Sequence, residues 1–253
     1  MRKMENFKEK LFSYVTFGKV FGHIFVVMEP KIFYHKLLEK YGKQEKADKF
    51  GYAAVKKWAK FVVKAAKVDV TVEGIEKIPT DRPVLFTPNH QSYADVPVLL
   101  YALKDFNFGF LMRMQLNKLF AIEQISHILH CVSINQENPR EGIKALNKTA
   151  EQIKDGLSML VFPEGKRGFS NTPDVFKNGA FKIVQKTGVT VVPIYIRNVF
   201  KILEGSGGVI TPTAVSVTVL DPIETSEMNR EQVKELNEKV YNIILEESKK
   251  YND

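Results

Sequence analysis

After Lys67 the sequence alternates short apolar runs, rich in β-branched residues, with stretches of helical periodicity. Strands that alternate with helices in this way are typical of a sheet covered by helices on both faces. The pattern therefore predicts an α/β fold with a central mixed sheet flanked by helices. Residues 214–220 alternate cleanly, which predicts a more exposed strand. The expected strands are residues 68–72, 84–87, 106–112, 131–134, 157–162, 189–196 and 214–220, and the expected helices are residues 96–103, 140–154, 175–186 and 229–249.

Composition and charge narrow the class of protein. A chain of 253 residues, 44% hydrophobic and 26% charged, can bury a substantial core, which argues against disorder. Cys131 is the single cysteine, so neither an internal disulfide nor a thiolate zinc site is available. The first 67 residues have 16 Lys and Arg against 6 Asp and Glu, while the remainder has 21 against 23. All the excess positive charge thus lies in the first quarter, which predicts an anionic partner there.

Two apolar segments lie within this basic region. Residues 11–28 are almost continuously apolar, but Lys19 within the run opposes a helix that spans a membrane. Pro30 is expected to end the segment. Residues 46–67 place aromatic and aliphatic side chains at spacings of three and four with lysines between them, which predicts an amphipathic helix. Such a helix lies either in a membrane interface or against a protein core, with its lysines in solvent.

Two adjacent segments of this kind, together with the excess positive charge, favour the membrane. We therefore predict an amphipathic two-helix membrane-association region over residues 1–67, which precedes an α/β domain over residues 68–253. Nucleic acid is not expected as a partner, because the sequence has no zinc-finger spacing and no RNA-recognition aromatic motif.

A polar segment, residues 87–95, directly follows the second expected strand. Its His90 can accept a proton near neutral pH, and a carboxylate bonded to the other ring nitrogen would fix the tautomer of the ring. On a regular helix, side chains five residues apart point about 140° apart. Asp95 can therefore reach His90 only if residues 89–92 form a turn and the helix begins near Asp95. Considered alone, a histidine and an aspartate five residues apart are usually polar residues on the protein surface. No further ligands at suitable spacing indicate a metal site.

A second polar segment, residues 160–168, ends the most apolar expected strand. Its two glycines, Gly165 and Gly168, permit tight turns with exposed backbone amides. Arg167 provides a planar guanidinium fork that suits a phosphate group. Glu164 could orient Arg167 or a substrate hydroxyl. The alternative is an ordinary turn after a strand, with its charges in solvent.

Together these segments resemble the 1-acylglycerol-3-phosphate acyltransferase family of glycerolipid acyltransferases. The family's Asn-His-x-x-x-x-Asp motif stands here as Asn89, His90 and Asp95, and its Phe-Pro-Glu-Gly-x-Arg motif occupies residues 162–167. An apolar Val-Pro-Ile motif is matched by residues 192–194. The three motifs occur in the family's order within residues 83–197, which is far more specific than any one of them alone.

The resemblance implies an enzyme that moves a fatty acyl group from an acyl thioester to the sn-2 hydroxyl of 1-acylglycerol-3-phosphate. The product would be phosphatidic acid, in phospholipid biosynthesis. His90 would act as the general base and Asp95 would orient its ring. No metal or cofactor is expected, because a thioester of acyl carrier protein or coenzyme A is already activated. Further residues are expected to bind the substrates. Arg167, supported by Arg113, would bind the acceptor phosphate, and backbone amides near Gly165 would stabilise the oxyanion. Glu164 would orient Arg167 or a substrate hydroxyl, and the region of Val192 and Pro193 would hold the acyl chain.

One position departs from the family pattern. The family usually has an arginine where this chain has Gln136, which can hydrogen-bond a phosphate but has no charge. Two alternatives follow: the same chemistry on another lysolipid, such as a lyso-ornithine lipid, or a non-catalytic lipid-binding protein of the same fold. The expected partners are a lysophospholipid acceptor, the acyl donor and an anionic membrane surface. The expected location is the cell membrane, with the protein peripheral or monotopic on the cytosolic face.

Overall fold

The computed structural model describes residues 2–118 and 120–251. These residues form eight α-helices and one seven-stranded sheet. The strands are β1 (Asp69–Glu73), β2 (Val84–Pro88), β3 (Phe108–Arg113), β4 (Val132–Ile134), β5 (Ser158–Leu160), β6 (Thr190–Arg197) and β7 (Ala214–Val219). The helices are α1 (Arg2–His23), α2 (Glu29–Lys40), α3 (Gln44–Ala65), α4 (Asp95–Ala102), α5 (Phe120–Ile128), α6 (Pro139–Lys154), α7 (Lys182–Thr187) and α8 (Arg230–Lys249).

The sheet is mixed, as predicted, with strand order β1-β7-β6-β2-β5-β3-β4. Neighbouring strands run parallel except β6 and β7, which are antiparallel. The carboxyl ends of β2, β3, β4 and β5 therefore lie at one edge of the sheet. In α/β proteins this edge is where binding and catalytic residues commonly gather.

Helices cover both faces of the sheet and enclose two hydrophobic cores. One core joins buried side chains of α3, α4 and α5 to the strands, among them Val55, Leu99 and Ile128. The other core lies under α6, α7 and α8 and includes Ile153 and Leu236. The α/β fold with a sheet flanked by helices is thus confirmed.

All seven expected strands are present, but two details differ from the prediction. The helix expected over residues 175–186 is confined to α7, because the backbone N–H of Lys177 donates to the carbonyl of Pro163 (2.8 Å) and holds the preceding residues in a loop. The more exposed strand expected over residues 214–220 is wrong. β7 lies between β1 and β6 inside the sheet, and its side chains on both faces are buried at Val217, Thr218 and Val219.

The expected end of the first apolar segment at Pro30 is also wrong. A π-helical turn, Ile24–Met28, joins α1 to α2, and the N–H of Glu29 reaches back to the carbonyl of Ile24. Pro30 directly follows this π-helical turn and lies in the first turn of α2, so it does not end the helix. The continuous helix Phe7–Lys40 is long and apolar enough to cross a membrane by length and composition alone, criteria that buried core helices and signal sequences also meet.

Membrane association of residues 1–67 stays a prediction. On α3, the face that includes Tyr52, Val55 and Val63 is buried in the core shared with Leu99 and the sheet. Within the predicted apolar stripe, Ala54 is buried in the same core and Trp58 packs against it, while the lysines lie on the outer face. These contacts favour the alternative of a core-packing helix with solvated lysines for this segment. The expected division at residue 67 cuts through this hydrophobic core. The helix Phe7–Lys40 carries exposed apolar side chains. The most exposed of them are Phe7, Tyr14, Phe21, Phe25, Val26 and Phe33.

Candidate active site

The His90 ring is held by a buried carboxylate. Helix α4 begins at Asp95, as predicted, so the preceding turn brings His90 Nδ1 within 2.7 Å of Asp95 Oδ2. The same oxygen accepts the backbone N–H groups of Gln91 (2.7 Å) and Ser92 (3.0 Å). An oxygen that already accepts two N–H donors is an acceptor for the ring as well, so Nδ1 carries the proton. Nε2 is then the ring nitrogen that can accept a proton.

The surroundings of this pair restrict the motion of the His90 ring and shift the pKa of Asp95. His90 stacks on Phe162, with ring centroids 3.9 Å apart and planes at 20°. Burial raises the pKa of Asp95, which is fully buried, and the hydrogen bonds from the His90 ring and from two backbone amides oppose that rise. The ring itself is 19% exposed, so it is oriented by the fold and still reachable from solvent.

Two buried amide side chains shape the turn that carries His90. Asn89 donates to the carbonyl of Ile196 (3.0 Å) and accepts its N–H (2.7 Å). Gln91 donates to the same carbonyl (2.8 Å) and accepts the N–H of Val199 (2.8 Å). Neither amide is more than 1% exposed. Both therefore fix the turn to β6 and the segment after it. Nothing in the sequence distinguished Gln91 in advance, because the partners of its side chain lie 80 or more residues away.

The two motifs meet at the backbone of His90. Glu164 accepts the backbone N–H of His90 (2.8 Å), and Gly168 donates to the carbonyl of His90 (2.8 Å). Of the two partners expected for Glu164, Arg167 or a substrate hydroxyl, Arg167 is contacted by Glu204 instead. Glu164 is 1% exposed, and burial raises its pKa to about 8. Glu164 is thus a mostly protonated acid at neutral pH that ties the second motif to the first.

Arg113, Gln136 and Gly165 converge from three neighbouring strands. Arg113 ends β3, while Gln136 and Gly165 lie beyond β4 and β5. Both Arg113 (2.6 Å) and Gln136 (3.3 Å) donate to the carbonyl of Gly165, whose backbone is left-handed with φ of 68°. The exposed charge of Arg113 therefore stands beside the position where the family arginine is replaced by glutamine.

Arg167 is held by a carboxylate that the sequence did not single out. Its Nη1 donates to Glu204 Oε1 (2.8 Å), and its guanidinium carbon lies 3.6 Å from the ring centroid of Tyr93. Glu204 also accepts the backbone N–H of Tyr93 (3.0 Å) and the hydroxyl of Ser92 (2.5 Å). One carboxylate thus fixes Arg167 to the turn that follows His90. Glu204 lies outside every motif, so only the fold reveals it.

Val192 and Pro193 lie elsewhere. Both are buried in β6 near the centre of the sheet, where Pro193 pairs with Thr87 of β2. Neither side chain reaches the surface, so the structure does not support the expectation that they line a groove for the acyl chain. The roles assigned to the other site residues stay predictions, although the structure brings His90, Asp95, Glu164 and Arg167 to one edge of the sheet.

A family model described as Acyltransferase matches residues 69–197, which include both motifs and the Val-Pro-Ile run. The chain belongs to this acyltransferase family. The resemblance drawn from the motifs is therefore confirmed, and the matched segment contains each expected site residue.

Individual relatives of this acyltransferase domain agree with the family. The chain is 33% identical over 183 residues to the chloroplastic 1-acyl-sn-glycerol-3-phosphate acyltransferase LPAT1 of Arabidopsis thaliana. The aligned residues cover 70% of this chain and 50% of the relative. It is 27% identical over 176 residues to the 1-acyl-sn-glycerol-3-phosphate acyltransferase of Saccharomyces cerevisiae, covering 68% and 57%. The chain spans about half the length of the curated relatives it matches.

A solved structure matches the whole fold of the acyltransferase. The crystal structure of the 1-acyl-sn-glycerophosphate (LPA) acyltransferase PlsC from Thermotoga maritima superposes with a TM-score of 0.82 at 26% identity. The match covers 100% of this chain and 98% of that chain, so the N-terminal helices have counterparts there as well.

The buried Glu164 of this acyltransferase should make stability depend on pH. Its pKa rises from 4.5 in an unfolded chain to about 8, so the folded protein binds more protons between these values and loses stability as pH rises. We expect Glu164→Gln to remove this loss. The difference between the free energies of unfolding of Glu164→Gln and of the wild type should therefore rise with pH. The expected slope is up to about 1.4 kcal/mol per pH unit between pH 5 and 8. Urea unfolding at several pH values measures the difference, and Glu235→Gln on α8 controls for the loss of a carboxylate. The prediction would be contradicted if the free energies of unfolding of the wild type and of Glu164→Gln changed with pH in the same way.

Proposed function

We propose that this protein transfers a fatty acyl group from an acyl thioester to the sn-2 hydroxyl of 1-acylglycerol-3-phosphate, giving phosphatidic acid for phospholipid biosynthesis. The observation that carries the proposal is the 2.7 Å contact between His90 Nδ1 and the buried Asp95, which leaves Nε2 to act as a base. The names of the relatives support the same reaction.

His90 supplies the proton transfer. As the acceptor oxygen attacks the thioester carbonyl, Nε2 takes the hydroxyl proton, and Asp95 stabilises the imidazolium that forms. A carbon–oxygen bond forms, the carbon–sulfur bond breaks, and the departing thiolate takes the proton back from His90. The enzyme ends unchanged with an ester and a free thiol as products. Since thioesters are activated, positioning and base catalysis suffice without a cofactor.

The basic residues beside His90 bind the acceptor phosphate. Arg113 is exposed, and Gln136 shares its contact at Gly165, so a phosphate can receive one charged and one neutral donor there. Arg167 contributes a second cation whose orientation is set by Glu204 and Tyr93. Glu164 acts indirectly, because its hydrogen bond fixes the backbone of His90. The donor is an acyl chain on acyl carrier protein or coenzyme A.

An acceptor other than 1-acylglycerol-3-phosphate is the second candidate, and Gln136 is the observation that favours it. A neutral donor at this position suits an acceptor with less negative charge, such as a lyso-ornithine lipid. The chemistry at His90 would be unchanged.

Membrane association fits both acceptors, since each carries an acyl chain. The exposed apolar side chains of the helix Phe7–Lys40 supply a surface for the bilayer interface, and the basic first quarter of the chain favours anionic lipids. We propose peripheral or monotopic attachment to the cytosolic face of the cell membrane. Binding by this helix leaves α3 free to pack in the core.

Replacing the proposed base should abolish turnover without unfolding the protein. We expect His90→Ala to lower the rate of acyl transfer by roughly 100- to 10,000-fold, the usual contribution of a general base. The assay follows thiol release from acyl-coenzyme A and acyl carrier protein thioesters with and without 1-acylglycerol-3-phosphate, and mass spectrometry identifies the lipid product. His23→Ala, which alters a histidine on α1, is the matched control, and thermal unfolding checks the fold.

The outcomes of this assay separate the candidates. Release that depends on 1-acylglycerol-3-phosphate supports the proposed acceptor, whereas release with other lysolipids only would replace it. A folded His90→Ala variant with wild-type turnover would rule out the mechanism. Absence of release with every donor and acceptor would favour the non-catalytic lipid-binding alternative.

Removing the exposed positive charge at the acceptor site should weaken acceptor binding. We expect Arg113→Gln to raise KM for 1-acylglycerol-3-phosphate roughly 10- to 100-fold with a smaller change in kcat, because a hydrogen bond to a charged group contributes about 1.5–3 kcal/mol. Gln136→Arg should lower the same KM. Arg82→Gln, before the start of β2, is the matched control. An unchanged KM in Arg113→Gln would remove Arg113 from the acceptor site.

Polar substitutions on the exposed face of the N-terminal helix should release the protein from membranes. The side chains of Phe21 and Phe25 are 57% and 63% exposed, and burying a phenylalanine contributes about 1.5–3 kcal/mol. We expect the double variant Phe21→Ser/Phe25→Ser to float at least tenfold less with anionic phospholipid vesicles. Val175→Ser is the matched control, because Val175 is 71% exposed and lies on the α/β body. Undiminished flotation of the double variant would contradict docking by this face.

A further inference from the structure

Two histidines and a glutamate come together on the side of the protein where α2 meets α5. His35 and Glu39 lie one turn apart on α2, and His127 lies on α5. Glu39 is 3.0 Å from His127 Nε2 through both carboxylate oxygens and 3.5 Å from His35 Nδ1. One ligand atom from each of the three residues lies within 4.8 Å of the others. The cluster shares no residue with the candidate active site.

His35 is the unusual member of the cluster. Its side chain is 1% exposed, yet neither ring nitrogen has a hydrogen-bond partner among the described residues. Buried polar atoms are normally paired, and an unpaired one destabilises the fold.

The neighbouring helix makes room for this imidazole. A Cβ atom at Gly51 of α3 would lie 2.7 Å from His35 Cδ2 and 3.1 Å from its Nε2. The edge of the ring that carries Nε2 therefore faces the backbone of α3, and Nδ1 faces Glu39. The ring is aimed by packing, with Nδ1 directed into the cluster.

The spacing of the ligand atoms suits a transition metal. Bonds of about 2.0–2.1 Å in a tetrahedral arrangement place neighbouring ligand atoms about 3.4 Å apart. The separations of Glu39 from His127 (3.0 Å) and from His35 (3.5 Å) are close to this value, and the two histidine ligand atoms lie within 4.8 Å of each other. His127 is 57% exposed, so water can complete the coordination on the solvent side. Two imidazoles and one carboxylate are donors that suit zinc.

We propose that His35, Glu39 and His127 bind a divalent transition metal ion, of the zinc class, that ties α2 to α5. An ion pair between Glu39 and His127 alone is the simpler reading, but it leaves both nitrogens of His35 unpaired in the interior. The metal satisfies Nδ1 and joins the N-terminal helices to the segment that leads into β4. The proposal does not depend on the acyltransferase reaction.

Metal binding to the tag-free, chelator-treated protein tests the proposal directly. We expect one equivalent of Zn²⁺ by isothermal titration calorimetry, visible absorption bands of a low-symmetry Co²⁺ complex, and a thermal midpoint raised by Zn²⁺. Mutation of a residue that only hydrogen-bonds a metal ligand typically weakens metal binding roughly 10- to 100-fold. His127→Ala and Glu39→Gln alter proposed ligands themselves, so each should weaken Zn²⁺ binding at least as much. In the presence of chelator both variants should unfold near the wild-type temperature.

A nearby histidine provides the matched control. His130 pairs with Asp48 of α3 (2.9 Å) outside the three ligands, and asparagine tolerates its left-handed backbone (φ 54°). His130→Asn should therefore retain the bound ion. Absence of stoichiometric binding to the wild-type protein would overturn the proposal. Binding that survives in His127→Ala, or that is lost only in His130→Asn, would place the ion elsewhere and overturn it too.

Discussion

The Asp95 carboxylate is the interaction on which the candidate active site depends. A fully buried carboxylate is costly unless donors surround it, and here one oxygen receives the His90 ring and two backbone N–H groups of the intervening turn. Those contacts fix the turn, the start of α4 and the tautomer of the histidine together. Loss of Asp95 would therefore remove the orientation of the base and the conformation of the segment that carries it.

A second buried carboxyl group lies close to the first. Glu164 accepts the backbone N–H of His90, whereas one oxygen of Asp95 is contacted by the His90 ring and by two backbone N–H groups. Burial raises the pKa of both groups, and the charge of Asp95 adds to the raised pKa of Glu164. The hydrogen bonds to Asp95 oppose the rise of its pKa. The Asp95 carboxylate lies on the side of His90 from which the ring needs stabilisation once it has accepted a proton.

The fold and the His90–Asp95 pair were accessible from the sequence because both rest on local patterns. Seven apolar runs marked the strands, and a five-residue spacing after a strand required the turn that α4 confirms. The rest depended on partners distant along the chain. The apolar stripe of α3 has the same sequence pattern whether the helix contacts lipid or packs near Leu99. Glu204 has no distinguishing motif, and its contacts with Arg167 and Ser92 form only in the folded protein. His35 and His127 are likewise separated by more than 90 residues, so no ligand spacing could indicate them.

The position of α3 has a consequence for how the active site meets a bilayer. Because α3 is buried in the core, the helix that precedes it is anchored through Met28 and Ile32, which belong to the same core. Its exposed aromatic residues therefore hold a fixed orientation relative to the sheet, unlike those of a tethered peptide. A metal ion at His35, Glu39 and His127 would strengthen that anchor by joining α2 to α5. Docking through Phe21 and Phe25 would then set the orientation of the whole α/β body relative to the lipid surface.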